Sequence, residues 1–203
     1  MLRAQPPTHR PVWLIVLAAT MLLFGGKTLV QGLLMIRDPG TIGRHAIPNV
    51  ARPPEVEESV RKLEPVLDEI VARHRLALRV DAVASTAFGL FTLYAVAAVL
   101  SRDRHGRLMA LLTGFFGIVY QVAELPLTAR IANEIVAAAG PLFVQIMSSA
   151  AGEGGGRTQA EQLAALQLAT ALVAAIGLGW CLLLLVYFGG RRGRELYGLT
   201  VRS

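Results

Sequence analysis

Two charged residues inside otherwise apolar stretches are the most informative chemical groups in this sequence. Lys27 lies 15 residues after Val12 and Glu124 lies 16 residues after Leu108. At ~1.5 Å per helical residue, each charge is then about 22–24 Å along its own helix. A charge at the bilayer centre costs at least about 2.5–3.5 kcal/mol on insertion scales. Both stretches are expected to start on the same side of the membrane, so a Lys27–Glu124 ion pair is geometrically possible.

Polar neighbours accompany both charges on their own stretches. Gln31 lies one turn after Lys27, and Tyr120 and Gln121 lie about one turn before Glu124. We call these five residues the intramembrane polar cluster. Its functional interpretation is a proton or ion relay, or a contact with a substrate. The sequence favours a structural interpretation, in which an ion pair fixes helix register or the charged side chains reach towards the outer interface.

The sequence gives little support for a nucleotide-binding, metal-binding or disulfide site. The tripeptide 26–28, Gly-Lys-Thr, is the ending of a phosphate-binding loop, but the first glycine of such a loop would be at position 21, which is Met21. The four histidines lie on separate segments without the spacing of metal ligands. Cys181 is the single cysteine, which excludes an intrachain disulfide. We therefore predict no metal, no cofactor and no enzymatic activity.

The composition predicts the helices that position these residues. Of the 203 residues, 54% are hydrophobic and 17% charged, against roughly 45–50% and about 25% in soluble domains. The excess lies in four stretches, about 12–36, 80–101, 108–128 and 168–188, and a spanning helix needs about 20 apolar residues. Backbone groups in hydrocarbon must be satisfied within their own segment, so these stretches should be helices. The sequence predicts an all-α integral membrane protein, a four-transmembrane-helix bundle with extramembrane helical extensions, in a single membrane domain over residues 1–203.

The flanking charges predict an orientation. The first stretch is too long for a cleaved signal peptide and favours an uncleaved anchor. Two short segments carry dense arginine, and such segments favour the cytoplasmic side. The arginines that could set topology or bind lipid headgroups are Arg102, Arg104, Arg107, Arg191, Arg192 and Arg194. We expect both termini in the cytoplasm and the protein in the cell (inner) membrane, with no role in nucleic-acid binding.

Two regions between the stretches should form an extramembrane helical cap, about 54–79 and 131–167. The first has a heptad seam, made by Val56, Val60, Leu63, Leu67, Ile70, His74 and Ala77. It predicts an amphipathic helix that runs directly into the second span, with a kink near Pro65. Residues 135–151 are uncharged and either pack against this seam, which we favour, or form a fifth span. A capping-box pattern predicts that the last helix starts near Thr158.

Small residues recur every four positions on the fourth stretch, at Ala171, Ala175 and Gly179. Such a face lets two helices approach closely. Packing within the chain is the favoured use, and a partner subunit is the alternative.

These observations predict a structural, assembly or sensory membrane protein, most simply an accessory component of a membrane complex. Its partners would be the lipid bilayer and other membrane subunits or further copies of itself. The alternative is a small transporter or an ion- or proton-conducting protein that uses Lys27 and Glu124.

Overall fold

The computed structural model describes residues 12–38, 54–101, 105–151 and 159–197, and within these ranges the regular structure is entirely α-helical. The helices, in chain order, are α1 (Val12–Arg37), α2 (Pro54–Arg73), α3 (Arg75–Leu100), α4 (Gly106–Ala151), α5 (Gln159–Gly189) and α6 (Arg191–Leu196). The prediction of an all-α fold is confirmed over this part of the chain.

Four of the described helices are long and apolar enough to cross a membrane. The candidate spans are Val12–Arg37, Arg75–Leu100, Gly106–Ala138 and Gln167–Gly189, each with a mean hydropathy between 1.6 and 2.4. They coincide with the four predicted stretches, although the second begins five residues earlier and the third ends ten residues later. Their length follows from the absence of helix-breaking polar runs within each stretch.

The chain divides into two compact units. Of the described residues, the first contains 12–32, 84–101, 105–121 and 176–197, and the second contains 33–38, 54–83, 122–151 and 159–175. Each of the four long helices therefore contributes residues to both units.

The first unit has an apolar core drawn from four helices. Its buried members are Leu14, Leu17, Ala18 and Met21 of α1, Ala95, Val96 and Val99 of α3, Ala110 of α4, and Leu184 and Phe188 of α5. On α1, α3 and α5 the core residues recur three or four positions apart, which is the spacing of one helical face. Trp180 of α5 stacks on Phe24 of α1 at a ring separation of 4.9 Å.

The second unit buries the described part of the α2 seam. Leu63, Leu67 and Ile70 are buried, as the heptad spacing predicts, whereas the side chains of Val56 and Val60 lie outside the described part of the structure. Met35, Leu78 and Ala82 form a second buried cluster, against which Val71 and Ile131 pack.

The junction between α2 and α3 contains an irregularity that the sequence did not predict, and the kink expected near Pro65 stays a prediction. The helix is continuous through Pro65 and is interrupted at His74, where a single turn residue separates α2 from α3. The hydrogen bonds from His74 N to Ile70 O (3.1 Å) and from Leu78 N to His74 O (2.9 Å) are kept. The interruption is therefore local, and helical backbone hydrogen bonds are present on both sides of it.

Residues 135–151 continue α4, which is one helix of 46 residues. At ~1.5 Å per residue, α4 is about 69 Å long, more than twice the hydrocarbon thickness. A single continuous helix contains no reversal between the third span and residue 151, so the fifth-span alternative is not supported. The side chains at 141–151, and hence their expected packing on the seam, lie outside the described ones.

The last long helix begins at Gln159, one residue after the predicted Thr158. Thr158 itself, like Arg102 and Arg104, lies outside the described residues. The last helix is therefore present where the sequence predicts it, and the capping box at Thr158 stays a prediction.

Candidate functional site

Lys27 and Gln31 are exposed on α1, in the middle and second half of a candidate span. None of the ion pairs found among the described residues includes Lys27. A side chain added at the neighbouring Gly26 would meet nothing within 4 Å. This part of the helix surface therefore carries a cation and an amide with open space beside them.

Tyr120 belongs to a buried polar contact that the sequence did not reveal. Its hydroxyl lies 2.7 Å from the hydroxyl of Ser85 on α3, and its ring stacks on Phe88 at 5.5 Å. Ser85 is almost completely buried. The contact joins residues 35 positions apart, so only the tertiary structure could identify it.

Gln121 packs against a glycine of α5. A Cβ on Gly177 would clash with the side-chain amide of Gln121, so α4 and α5 approach closely at this point. A second close approach joins α4 to α5, where Gly117 faces the Sγ of Cys181. Cys181 is buried, as its position in an apolar stretch predicts.

The members of the predicted polar cluster are divided between the two units. Lys27, Gln31, Tyr120 and Gln121 belong to the first unit, and Glu124 belongs to the second, where it is half-buried. A Lys27–Glu124 pair remains a prediction.

The small-residue face is exposed, whereas the sequence favoured its packing within the chain. Ala171, Ala175 and Gly179 are all exposed, and a Cβ at Gly179 would meet nothing within 4 Å. Close helix contact falls instead on Gly177, two residues before Gly179, because that position faces Gln121. Contact of the exposed face with a partner stays a prediction.

Two of the arginines at the helix ends make contacts within the chain. Arg107 Nε donates a 2.7 Å hydrogen bond to the carbonyl oxygen of Phe188, an unsatisfied acceptor near the end of α5. Arg191 pairs with Glu195 at 3.0 Å, and Arg194 is exposed. The side chain of Arg192 lies outside the described ones.

Glu134 is the centre of a charged network that the sequence analysis missed. Its Oε2 lies 3.0 Å from Nε2 of His74 and 3.4 Å from Nη1 of Arg73, and its Oε1 lies 3.5 Å from Nε of Arg130. The His74 contact is close in distance but is not aligned as a hydrogen bond. Arg73 also pairs with Glu69 at 3.1 Å. The spacing of Arg130 and Glu134, four residues apart, was the one signal available in the sequence.

The network joins the interruption at His74 to α4. The Glu134 carboxylate contacts Arg73 at the end of α2, His74 at the interruption and Arg130 on α4. These contacts position the interruption against α4. Within the described residues, no group of three or more histidine, cysteine, aspartate or glutamate side chains could hold a metal ion.

Comparisons with protein-family models, with curated proteins and with solved structures find no match for this chain.

Proposed function

We propose that this protein is a multi-pass component of the cell membrane, with both termini in the cytoplasm. Its role would be structural: an accessory or assembly component of a larger membrane complex, without catalytic activity of its own. The observation that carries the proposal is the exposure of Lys27 on the surface of a candidate span, with no ion pair among the described residues.

A charge in that position is unfavourable in a bilayer. Hydrocarbon offers the ammonium group no hydrogen bonds and no counter-charge, and the cost is at least about 2.5–3.5 kcal/mol near the bilayer centre. Contact with a polar group on a partner protein removes much of this cost. An exposed intramembrane lysine is therefore a feature that favours a protein which functions in a complex.

The buried polar groups of the first unit support the same proposal. Ser85 contacts Tyr120, and the hydroxyls of Thr92 and Thr113 donate to carbonyl oxygens four residues earlier on their own helices, at 2.9 and 2.8 Å. The threonine contacts lie within one helix each, and the Ser85–Tyr120 contact joins α3 to α4. A proton or ion path through Lys27 and Glu124 is the alternative, and it needs Lys27 to face a polar path in the protein. Its exposure on α1 favours the accessory role.

Native electrophoresis of solubilised membranes tests the proposal. The tagged chain, expressed at its natural level, should migrate in a band well above its own mass of 21.8 kDa, and a second dimension under denaturing conditions should separate it from at least one other polypeptide. The control is the chain expressed in a foreign membrane, where the band should be lost. Migration as a monomer or homo-oligomer in the native membrane would contradict the proposal.

A further inference from the structure

We infer that the exposed surface of α1 around Lys27 binds a transmembrane helix of a second polypeptide, and that this helix carries an aspartate or glutamate at the depth of Lys27. The surface, which we call the Lys27 face, consists of Leu23, Gly26, Lys27, Val30 and Gln31. The inference depends on the proposed function and adds to it the chemistry of the partner.

Two close helix contacts fix the direction in which the Lys27 face points. A Cβ at Gly89 of α3 would lie 2.6 Å from the backbone nitrogen of Leu29, and a Cβ at Gly25 would lie 2.9 Å from Cβ of Thr92. The two helices meet at these positions because the glycines have no side chain. Gly25 and Lys27 are two residues apart and so point about 200° apart around the helix axis. Turning Lys27 inwards would therefore break the contacts of α1 with α3.

The composition of the Lys27 face selects the chemistry of its partner. Lys27 supplies a cation, and Gln31, one turn away, supplies an amide that can both donate and accept hydrogen bonds. Leu23 and Val30 flank them with exposed apolar side chains, and Gly26 leaves room for another helix. A carboxylate on an apolar helix complements this arrangement, because it pairs with the ammonium group and removes both charges from lipid.

Lipid phosphate is poorly placed to supply the negative charge. Lys27 lies ten residues before Arg37, the last residue of α1, which at ~1.5 Å per residue is about 15 Å along the axis. The distance from Val12 at the other end is longer still. Both distances exceed the reach of a lysine side chain, so a lipid phosphate at either end of α1 is too far from the ammonium group. The carboxylate of a helix at the same depth is the better counter-charge.

A second copy of this chain is also a poor source of the carboxylate. The acidic residues within the candidate spans are Asp81, Glu124 and Glu134. Asp81 and Glu124 already make contacts in the chain, and Glu134 is held by Arg73, His74 and Arg130. Freeing one of them for a neighbouring copy would break an existing contact. The occupant is therefore a different polypeptide.

Site-specific photo-crosslinking in native membranes tests the inference. A photoreactive phenylalanine analogue replaces Val30 on the Lys27 face, and in a matched control it replaces Val186, another valine that is exposed on α5. The position-30 probe should crosslink to a membrane-spanning peptide that contains an aspartate or glutamate within one helical turn of the crosslinked residue. The position-186 probe should not reach that peptide. Adding Lys27→Leu should lower the crosslinked fraction about tenfold, whereas Lys27→Arg, which keeps the charge, should retain most of it.

The outcomes separate this inference from the proposed function. A partner present in native electrophoresis that the position-30 probe does not reach would overturn the inference and leave the accessory role standing. A crosslinked peptide without an acidic residue, or products with lipid or with a second copy alone, would overturn it too. If native electrophoresis shows no complex with another polypeptide, both the accessory role and this inference would be wrong. Because Lys27→Leu makes α1 more apolar, its insertion and yield should match those of the unmodified chain, which immunoblotting of the isolated membranes verifies.

Discussion

At the scale of single residues, several buried hydroxyls of the first unit make short hydrogen bonds, whereas the buried indole nitrogen of Trp180 makes none with the described residues. Ser85 and Tyr120 share a 2.7 Å hydroxyl contact, and Thr92 donates to the carbonyl oxygen of Phe88 at 2.9 Å. Such contacts are needed because an unpaired polar group in an apolar interior destabilises the fold. Their energetic contribution is nonetheless modest, since the unfolded chain in a membrane also finds partners for them.

The Ser85–Tyr120 contact can be measured with a double-mutant cycle. We expect Ser85→Ala and Tyr120→Phe each to lower the free energy of unfolding, and the two changes together to lower it by less than the sum. The coupling should be about 0.6 kcal/mol, the typical value for hydrogen bonds between membrane helices. Unfolding in mixed detergent micelles supplies the four free energies. Strict additivity would show that the hydroxyl contact contributes nothing.

The close contact of α1 with α3 gives a second prediction at this scale. Gly89→Ala places a Cβ 2.6 Å from the backbone nitrogen of Leu29, so we expect a loss of about 1–3 kcal/mol in unfolding free energy. The matched control is Gly179→Ala, whose Cβ meets nothing within 4 Å. Thermal unfolding in detergent should show a clear fall for the first and little change for the second. Equal effects of the two substitutions would contradict the contact.

At the scale of the helices, the interruption at His74 matters most. The break between α2 and α3 lies where the amphipathic sequence gives way to an apolar one, and Glu134 of α4 holds Arg73 and His74 there. The sequence predicted the seam and the span correctly because both depend on local periodicity. It gave no sign of the interruption at His74, because the contact that accompanies the break, from Glu134, is 60 residues away in the chain. Tertiary contacts of this kind leave almost no local signal.

Removal of the Glu134 carboxylate should loosen this junction. We expect Glu134→Gln to weaken hydrogen-exchange protection at residues 74–78 by about fivefold, a local loss near 1 kcal/mol, because the arginine partners are largely exposed and screened. Glu69→Gln is the control, since the ion pair described for Glu69 is with Arg73 alone and its side chain is 74% exposed. It should change the protection little. An equal loss in both variants would mean that Glu134 has no special role.

The outer face of α2 gives a pH-dependent prediction. The hydrogen bond from Lys62, followed by the positive charge of the same residue, lowers the pKa of Glu58 below its ordinary 4.5. The contribution of this pair to helix stability is therefore present above pH ~4.5 and is lost as the pH falls through the lowered pKa. The carboxyl carbon-13 shift of Glu58 should titrate below pH 4.5, and Lys62→Met should move the midpoint upward. An unchanged midpoint in Lys62→Met would refute the pairing.

At the scale of the whole molecule, four apolar helices and the clustered arginines define how the chain would lie in a membrane. Hydropathy was sufficient to predict all four candidate spans, because burial in lipid demands long apolar helices irrespective of how they pack. It could not reveal that α4 continues unbroken to Ala151, since Pro126 and Pro141 lie within that helix. The exposure of Lys27 was equally hidden, because it depends on how the glycines of α1 and α3 meet.

The proposed orientation is testable with reporter fusions. A fluorescent protein that folds only in the cytoplasm should be active at the N-terminus and at the C-terminus, whereas a periplasmic phosphatase should be active when inserted at residue 45 or residue 155. Replacing the arginines of segments 101–107 and 189–203 with glutamine should weaken this bias, because short basic segments are retained in the cytoplasm. The opposite reporter pattern would reverse the proposed topology.

The central claim is that this protein works as a partner-bound component of a membrane complex, with Lys27 in the contact. Native mass spectrometry of the complex, purified from its own membrane in a mild detergent, tests this most directly when wild type, Lys27→Arg and Lys27→Leu are compared. We expect a second polypeptide at fixed stoichiometry with wild type and Lys27→Arg, and its loss from most of the Lys27→Leu particles. A monomer or homo-oligomer for all three proteins would contradict the claim.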